Sequence, residues 1–400
     1  MTAMGAEPSR KRPTLFTLIM ASVVNPIAVN IFLPSIPGMA KEFGVSFAFM
    51  QLGLSIFLGM NAVLQLVLGS LSDRYGRRPV LIATMALFVC GTILCLLSHT
   101  PLMFLIGRAI QASSAAGIVV SRAIVRDVFE TRDAAVRISY LSVSLAIGPM
   151  LAPAIGGPLD AAFGWRAPFM LLLAMGLLTL IVLLFNLPET KPRGSGPVQS
   201  HWRSYVQMLS GWTSARIAIS AGLAAAVHFA AVGAAPALAE GHMGIPTSVV
   251  GLWFTICAGG FVAGGLLLPR LLQLFRFRTL LRTGSMTVLA GTLIILAAAY
   301  ADALTPLLLF GPLVFVGFGQ ALILPNCALL QMSLHPRSAG AAAGLQAASQ
   351  LASGALASSF AGILVGDGTA PYLLTLFLVG LSLLLAIVSW GLPNLGERSE

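Results

Sequence analysis

Apolar residues come in runs of about 20, the length that crosses a bilayer as a helix, and short polar connections separate them. Twelve runs qualify: 14–36, 47–69, 79–98, 102–124, 137–159, 167–187, 213–238, 246–268, 282–300, 305–331, 338–364 and 370–391. Each has to be helical, because lipid offers an open backbone no hydrogen-bond partner. Their many Gly and Pro residues suit close packing and bends between such helices. The run 14–36 follows Arg10, Lys11 and Arg12, as a cleaved leader would, but its length and its Asn25, Pro26, Asn30 and Pro34 fit a retained first span.

The longest polar connection runs from Pro188 to Trp212 and leaves six runs on either side. The pattern predicts an all-α membrane protein: a bundle over 1–187, a linker over 188–212 and a second bundle over 213–400, around a central cavity. With both termini placed in the cytoplasm, twenty of the twenty-three Lys and Arg residues fall on that side, the linker's Lys191 and Arg193 among them. The opposite side has only Lys41 and Arg166, and Arg108 falls inside a run. That asymmetry predicts the orientation and an even number of spans.

Composition agrees. The 400 residues are 57% hydrophobic and 9% charged, where soluble domains carry about 25% charged residues. The net charge of +10 lies in short loops, without the basic face or interleaved aromatics of a nucleic-acid binder, so no nucleic-acid partner is expected. Cys90, Cys95, Cys257 and Cys327 sit singly in apolar runs as small core residues, and no metal cluster is visible. No phosphate-binding glycine loop points to ATP, and no nucleophile–base pair points to an enzyme. No cofactor is expected.

One connection carries most of the chemistry. Gly69 to Leu81 places Asp73, Arg74, Arg77 and Arg78 in a short hinge between two spans, with Gly69 and Gly76 allowing close helix approach and a tight turn. On charge alone this is equally an ordinary basic loop that orients the protein. The string resembles the G-x-L-x-D-R-x-G-R-R signature of the major facilitator superfamily, between its second and third helices. Further on, Ser121-Arg122-Ala-Ile-Val-Arg126-Asp127-Val-Phe129 is similar to the end of span four in the Bcr/CflA-type drug exporters. The resemblance implies that Asp127 pairs with the arginines of the Gly69 loop. With Arg126 and Glu189 they would form a latch between the bundles; the alternative is a set of weak, solvated ion pairs.

Arg108 lies a quarter of the way into span four, with Gln111 one turn on. A charge there faces a cavity or a partner, or snorkels to the interface. The pair resembles the family's R-x-x-Q-G motif, with Ala112 in place of Gly. That implies a cavity-facing Arg that moves protons or touches substrate. In span five, Gly148, Pro149, Pro153, Gly156 and Gly157 predict a bent helix with a flat small-residue face. They resemble the antiporter motif of drug exporters, with Ala152 where a Gly is usual, and so point to outward transport. Asn30 stands where Bcr/CflA-type exporters carry an Asp, and Asn cannot titrate.

None of the thirteen acids lies deep in a run. His228 is the titratable group nearest a span centre, either a coupling residue or a packing one. Asn25, Asn61 with Gln65, Gln346 with Gln350, and Gln320 with Asn326 either line the cavity or join helices. The resemblance implies an inner-membrane exporter of small hydrophobic or amphipathic compounds, monomeric and driven by exchange for protons. A cavity without carboxylates favours neutral, zwitterionic or weakly acidic compounds, phenicol-like antibiotics among them. A dedicated amino-acid or sugar exporter and a non-transporting receptor remain the alternatives.

Overall fold

A computed structural model describes residues 13–190, 202–366 and 371–392. They form sixteen α-helices and three short 3-10 turns, and contain no strand. The first span is α1 (Leu15–Asn30) and α2 (Ile36–Phe43), joined through a turn at Leu33–Ser35. Next come α3 (Phe47–Tyr75), α4 (Arg77–Leu96), and α5 (Pro101–Gln111) with α6 (Ala115–Val128). The helices α7 (Thr131–Phe163) and α8 (Arg166–Asn186) complete the first set. After α9 (Trp202–Ser210) the second set is α10 (Trp212–Gly241), α11 (Thr247–Leu274), α12 (Phe277–Tyr300), α13 (Pro306–Phe310) with α14 (Leu313–Leu334), α15 (Ala339–Val365) and α16 (Pro371–Trp390).

Among the described residues, eleven helical segments are long and apolar enough to cross a membrane. The 33-residue α7 is the twelfth long segment. Several starts are fixed by local chemistry: the side chains of Thr14, Ser46, Thr100 and Thr305 each accept a backbone N–H of the first turn. Helices overrun the apolar runs where a charged end has water to enter. The run 47–69 becomes a helix that continues through Asp73 and stops at Gly76, whose φ of +102° only glycine adopts readily.

Three expectations change. Span four breaks at Ala112–Ser114, where Ser114 Oγ bonds back to the Gln111 carbonyl at 2.9 Å and Ser113 Oγ donates to the Thr84 carbonyl of α4 at 2.9 Å. Hydroxyls that bond locally to the backbone compete with the regular ladder. The tenth span breaks before Pro312, which has no N–H to continue α13. The 188–212 linker is not simply a polar tether: it contains α9, which buries Tyr205 and Met208 against Ala341, Ala342 and Leu345 of α15. Residues 191–201, including Lys191 and Arg193, lie outside the described residues, as do Arg10, Lys11 and Arg12.

The helices α1 and α3–α8 pack on one another, as do α10–α12 and α14–α16, and the two sets meet where α3 lies on α15 and α7 on α11. Large apolar side chains such as Leu102, Phe185, Leu266 and Ile387 stay exposed on the outer faces, where lipid is their solvent. Below, the Gly76 end is the end of the molecule that holds the α3–α4 connection, and the Lys41 end is the opposite one.

Candidate functional site

At the Gly76 end the charges converge as a compact cluster. Glu189, just past α8, accepts the backbone N–H groups of Arg77 and Arg78 at 3.0 and 3.2 Å. Its carboxylate thus sits on the N-terminus of α4, where unpaired N–H groups and the helix dipole favour an anion. A Cβ at Gly76 would lie 2.6 Å from Glu189 Oε2, so glycine is required for contact as well as for φ. Arg77 turns inward, its Nε 2.9 Å from Asp127 Oδ2 on α6 and its Nη1 2.6 Å from Asp73 Oδ1 on α3. The same Nη1 donates to Ser72 Oγ at 2.6 Å. Arg78 donates to the Leu184 carbonyl of α8 at 3.0 Å.

These bonds pair Asp73 and Asp127 with Arg77 and bring in Glu189. These particular bonds tie α3, α4, α6 and α8 of the first bundle together. A Cβ at Gly69 would meet Val119 of α6 at an ordinary 3.9 Å, so helix approach does not require glycine there. Arg74 lies over the Tyr75 ring. Arg126 is exposed and points elsewhere: its Nη1 is 3.9 Å from where a Cβ at Gly340 would sit, on α15 of the second bundle.

Arg108 is fully enclosed. Its guanidinium lies 4.2 Å from the Phe32 ring centroid and 4.4 Å from that of Phe57. Nη1 donates to Gln111 Oε1 at 2.8 Å and to the Ala28 carbonyl at 3.1 Å, and Nε to the Gly53 carbonyl at 3.2 Å. Gln111 in turn donates to Thr92 Oγ1 at 2.8 Å. Nη2 has no partner. Ala28 is in the last turn of α1, so the cation lies against the negative end of that helix dipole. The expected cavity-wall Arg108 is therefore corrected for this conformation: it is sealed between α1, α3 and α5. Spacing along span four could not tell a side chain facing the bundle from one facing a cavity.

The small-residue stripe of α7 faces two ways. Gly148 packs on Pro26, and a Cβ at Gly156 would overlap the Ile31 carbonyl, both in the first span. On the other side a Cβ at Gly251 of α11 would overlap the Pro153 carbonyl and lie 3.3 Å from Gly157 Cα. The helix runs unbroken through Pro149, Pro153 and Pro158. It is thus a close-contact seam between the bundles as well as within one.

A family model described as Major Facilitator Superfamily matches residues 18–358. The chain belongs to the major facilitator superfamily. It is 28% identical to the MFS-type transporter YdgK of Bacillus subtilis over 354 residues, 87% of this chain and 88% of that one. It is 29% identical to the multidrug resistance protein MdtL of Escherichia coli over 299 residues, 74% of this chain and 76% of that one. Two solved structures share the fold. One is a D-xylose–proton symporter, with TM-score 0.73, 16% identity and coverage of 93% of this chain and 96% of that one. The other is a bacterial homologue of the lysosomal transporter Spinster, with TM-score 0.71, 18% identity and coverage of 94% of each.

In this major facilitator protein the other polar candidates do not meet at one point: Asn25, Gln346 and Gln320 bond to a neighbouring element, whereas Asn30 and the Asn61–Gln65 pair bond within their own helices. Asn25 donates to Ser114 Oγ at 2.9 Å, and Asn30 to the Pro26 carbonyl at 2.9 Å. Asn61 is fully buried and accepts from Gln65 at 3.4 Å, leaving its own Nδ2 without a partner. Gln346 donates to the Leu324 carbonyl at 3.3 Å, and Gln320 to the Ala224 carbonyl at 2.7 Å. His228, midway along α10, has no hydrogen-bond partner for Nδ1. All nine acids among the described residues lie in connections or within about a turn of a helix end.

Sequence reasoning missed two groups at the Lys41 end. Glu42 accepts Trp165 Nε1 at 2.8 Å and Arg166 Nη1 at 2.7 Å, pinning α2 to the α7–α8 corner. Gln51 reaches into the second bundle. The available signal was the four-residue ladder Gln51, Ser55, Gly59 inside an otherwise apolar run.

Proposed function

We propose that this protein exports small hydrophobic or amphipathic compounds across the bacterial inner membrane by alternating access, in exchange for protons, as Bcr/CflA-type drug exporters do. The observation that carries the reading is a membrane interior in which the described residues place no acid and enclose the cation Arg108. A cationic drug meets no fixed negative charge there, so neutral, zwitterionic or weakly acidic compounds are favoured. The multidrug relatives support export, and so does the α7 stripe, whose position between α1 and α11 suits a seam about which two bundles rock. The Lys and Arg distribution favours an orientation with both termini in the cytoplasm.

Asn25, Asn61, Gln65, His228 and Gln346 line or border the path in this reading, with Arg108 holding α1 against α3 behind its wall. Asn30 does not titrate, so in this reading the proton is carried by His228, by the acids at the outer helix ends or by the substrate itself. An accumulation screen of neutral, cationic and acidic antibiotics in an efflux-deficient host tests the substrate class. Expected is export of a phenicol-like neutral compound; export of ethidium with no export of any neutral compound overturns it. Substrate-induced proton release from purified protein, lost in His228→Ala, tests the coupling. Release that persists in the variant moves the proton to the helix-end acids or the substrate.

A further inference from the structure

Three links join the bundles at the Lys41 end. Lys41 of α2 pairs with Glu240 of α10. The backbone of α7 at Pro153 and Gly157 meets Gly251 of α11. The third link is Gln51. This α3 side chain is fully buried and donates from Nε2 to the Ser358 carbonyl at 2.8 Å and to Ser358 Oγ at 3.1 Å. It enters a hole floored by glycine. A Cβ at Gly233 of α10 would lie 2.7 Å from Gln51 Nε2, and one at Gly362 of α15 would lie 2.6 Å from Gln51 Oε1.

The half-satisfied amide is informative. Its Oε1 has no donor. Closing the hole therefore gives the Nε2 group two acceptors and strips water from an acceptor that gains nothing in return. Here the hydrogen bonds specify where the bundles meet, and the orphaned oxygen favours release, because both polar ends are hydrated once the bundles part. The ion pair is a weaker device, since Lys41 is 73% exposed and screened.

We propose that Gln51 is the gate knob of the Lys41 end: its insertion into the Gly233–Ser358–Gly362 hole holds that end closed, and its withdrawal accompanies opening. The proposal rests on the alternating-access reading but not on any substrate or coupling ion. Its test reads conformation alone, so it can fail while export is observed, and the reverse.

The test is electron–electron double resonance between spin labels at Phe163→Cys and Tyr300→Cys in purified protein with Cys90→Ser. Phe163 and Tyr300 are highly exposed, at the Lys41 ends of α7 and α12. Gly362→Ala places a methyl group on the Gln51 side chain, which supplies its three nearest atoms. It should raise the population with a long Phe163–Tyr300 distance by about 5–10-fold, the lower end of a typical two-state coupling. Gln51→Ala combined with Gly362→Ala removes the two overlaps with the amide, at 2.6 and 3.0 Å, and leaves only the position-51 Cβ at 3.3 Å; it should return the distribution close to that of Gln51→Ala alone. An unchanged distance distribution in Gly362→Ala overturns the proposal. So does a double variant as open as Gly362→Ala, since the alanine would then act on the helix and not on the knob.

Discussion

Replacing Arg108 with Met separates holding from chemistry at the most deeply buried charge. Met keeps the length of the aliphatic stem and removes all three hydrogen bonds to Gln111, Ala28 and Gly53. Bonds to a charged group contribute about 1.5–3 kcal/mol each, and one buried unpartnered nitrogen costs about 1–3 kcal/mol. Three bonds outweigh the single orphaned Nη2, so the wild-type charge is net stabilising by a few kcal/mol. The Phe32 and Phe57 faces add to it, a desolvated cation–π contact being worth about 2 kcal/mol. At about 2 °C per kcal/mol for a chain of this size, Arg108→Met should lower the apparent Tm by about 4–8 °C. The measurement is a thermal melt in detergent at one scan rate, because membrane-protein unfolding is read as a rate. Arg108→Lys keeps the charge but not the planar fork between two rings, and should fall between the two. A Met variant that melts within about 1 °C of wild type, on the same scale, would refute the reasoning. Arg108 would then contribute to transport chemistry and not to holding α1 on α3.

Three other outcomes follow from the same contacts. Gly76→Ala should cost about 1–3 kcal/mol from its left-handed backbone, and more from the methyl group driven onto Glu189. Gly44→Ala is the control in a parallel melt: its φ is +66° but nothing lies within 4 Å, so its loss of Tm should be smaller. Gly156→Ala puts a methyl group into the Ile31 carbonyl and should abolish the monodisperse peak in fluorescence-detected gel filtration. Gly265→Ala meets nothing within 4 Å and should leave that peak intact. Lys41→Ala removes an exposed ion pair worth about 0–1 kcal/mol. It should therefore shift the Phe163–Tyr300 distance populations less than Gly362→Ala does, and less again at high salt.

The α3–α4 cluster shows how far local pattern reaches. Asp73, Gly76 and Arg77 are neighbours in sequence, and a turn between two apolar runs leaves them little freedom. The pairing of Asp127 and Glu189 with that turn was anticipated through resemblance, because their runs end on the same side of the bilayer. Arg108 marks the limit. A buried guanidinium was legible from its position in span four. Its enclosure by Phe32, Phe57 and the end of α1 was not, since those groups lie 51 to 80 positions away in the chain. The linker misled for a related reason: α9 is too short to be apolar throughout, and only α15 gives Tyr205 and Met208 a surface to bury against.

Hydropathy alone pointed to an all-α membrane protein with about a dozen membrane-length segments and no acid deep in a run, because solvation in lipid acts on each residue wherever its neighbours lie. Tertiary structure alone decided which face each helix turns inward. It set Gln51 into a glycine-floored hole of the other half, kept the Arg77 ion pairs within one half, and placed α7 against α1 and α11 at once. Those outcomes depend on packing between segments remote in the chain, where a missing methyl group on one helix makes room for an amide on another, and no run of residues read by itself contains that information.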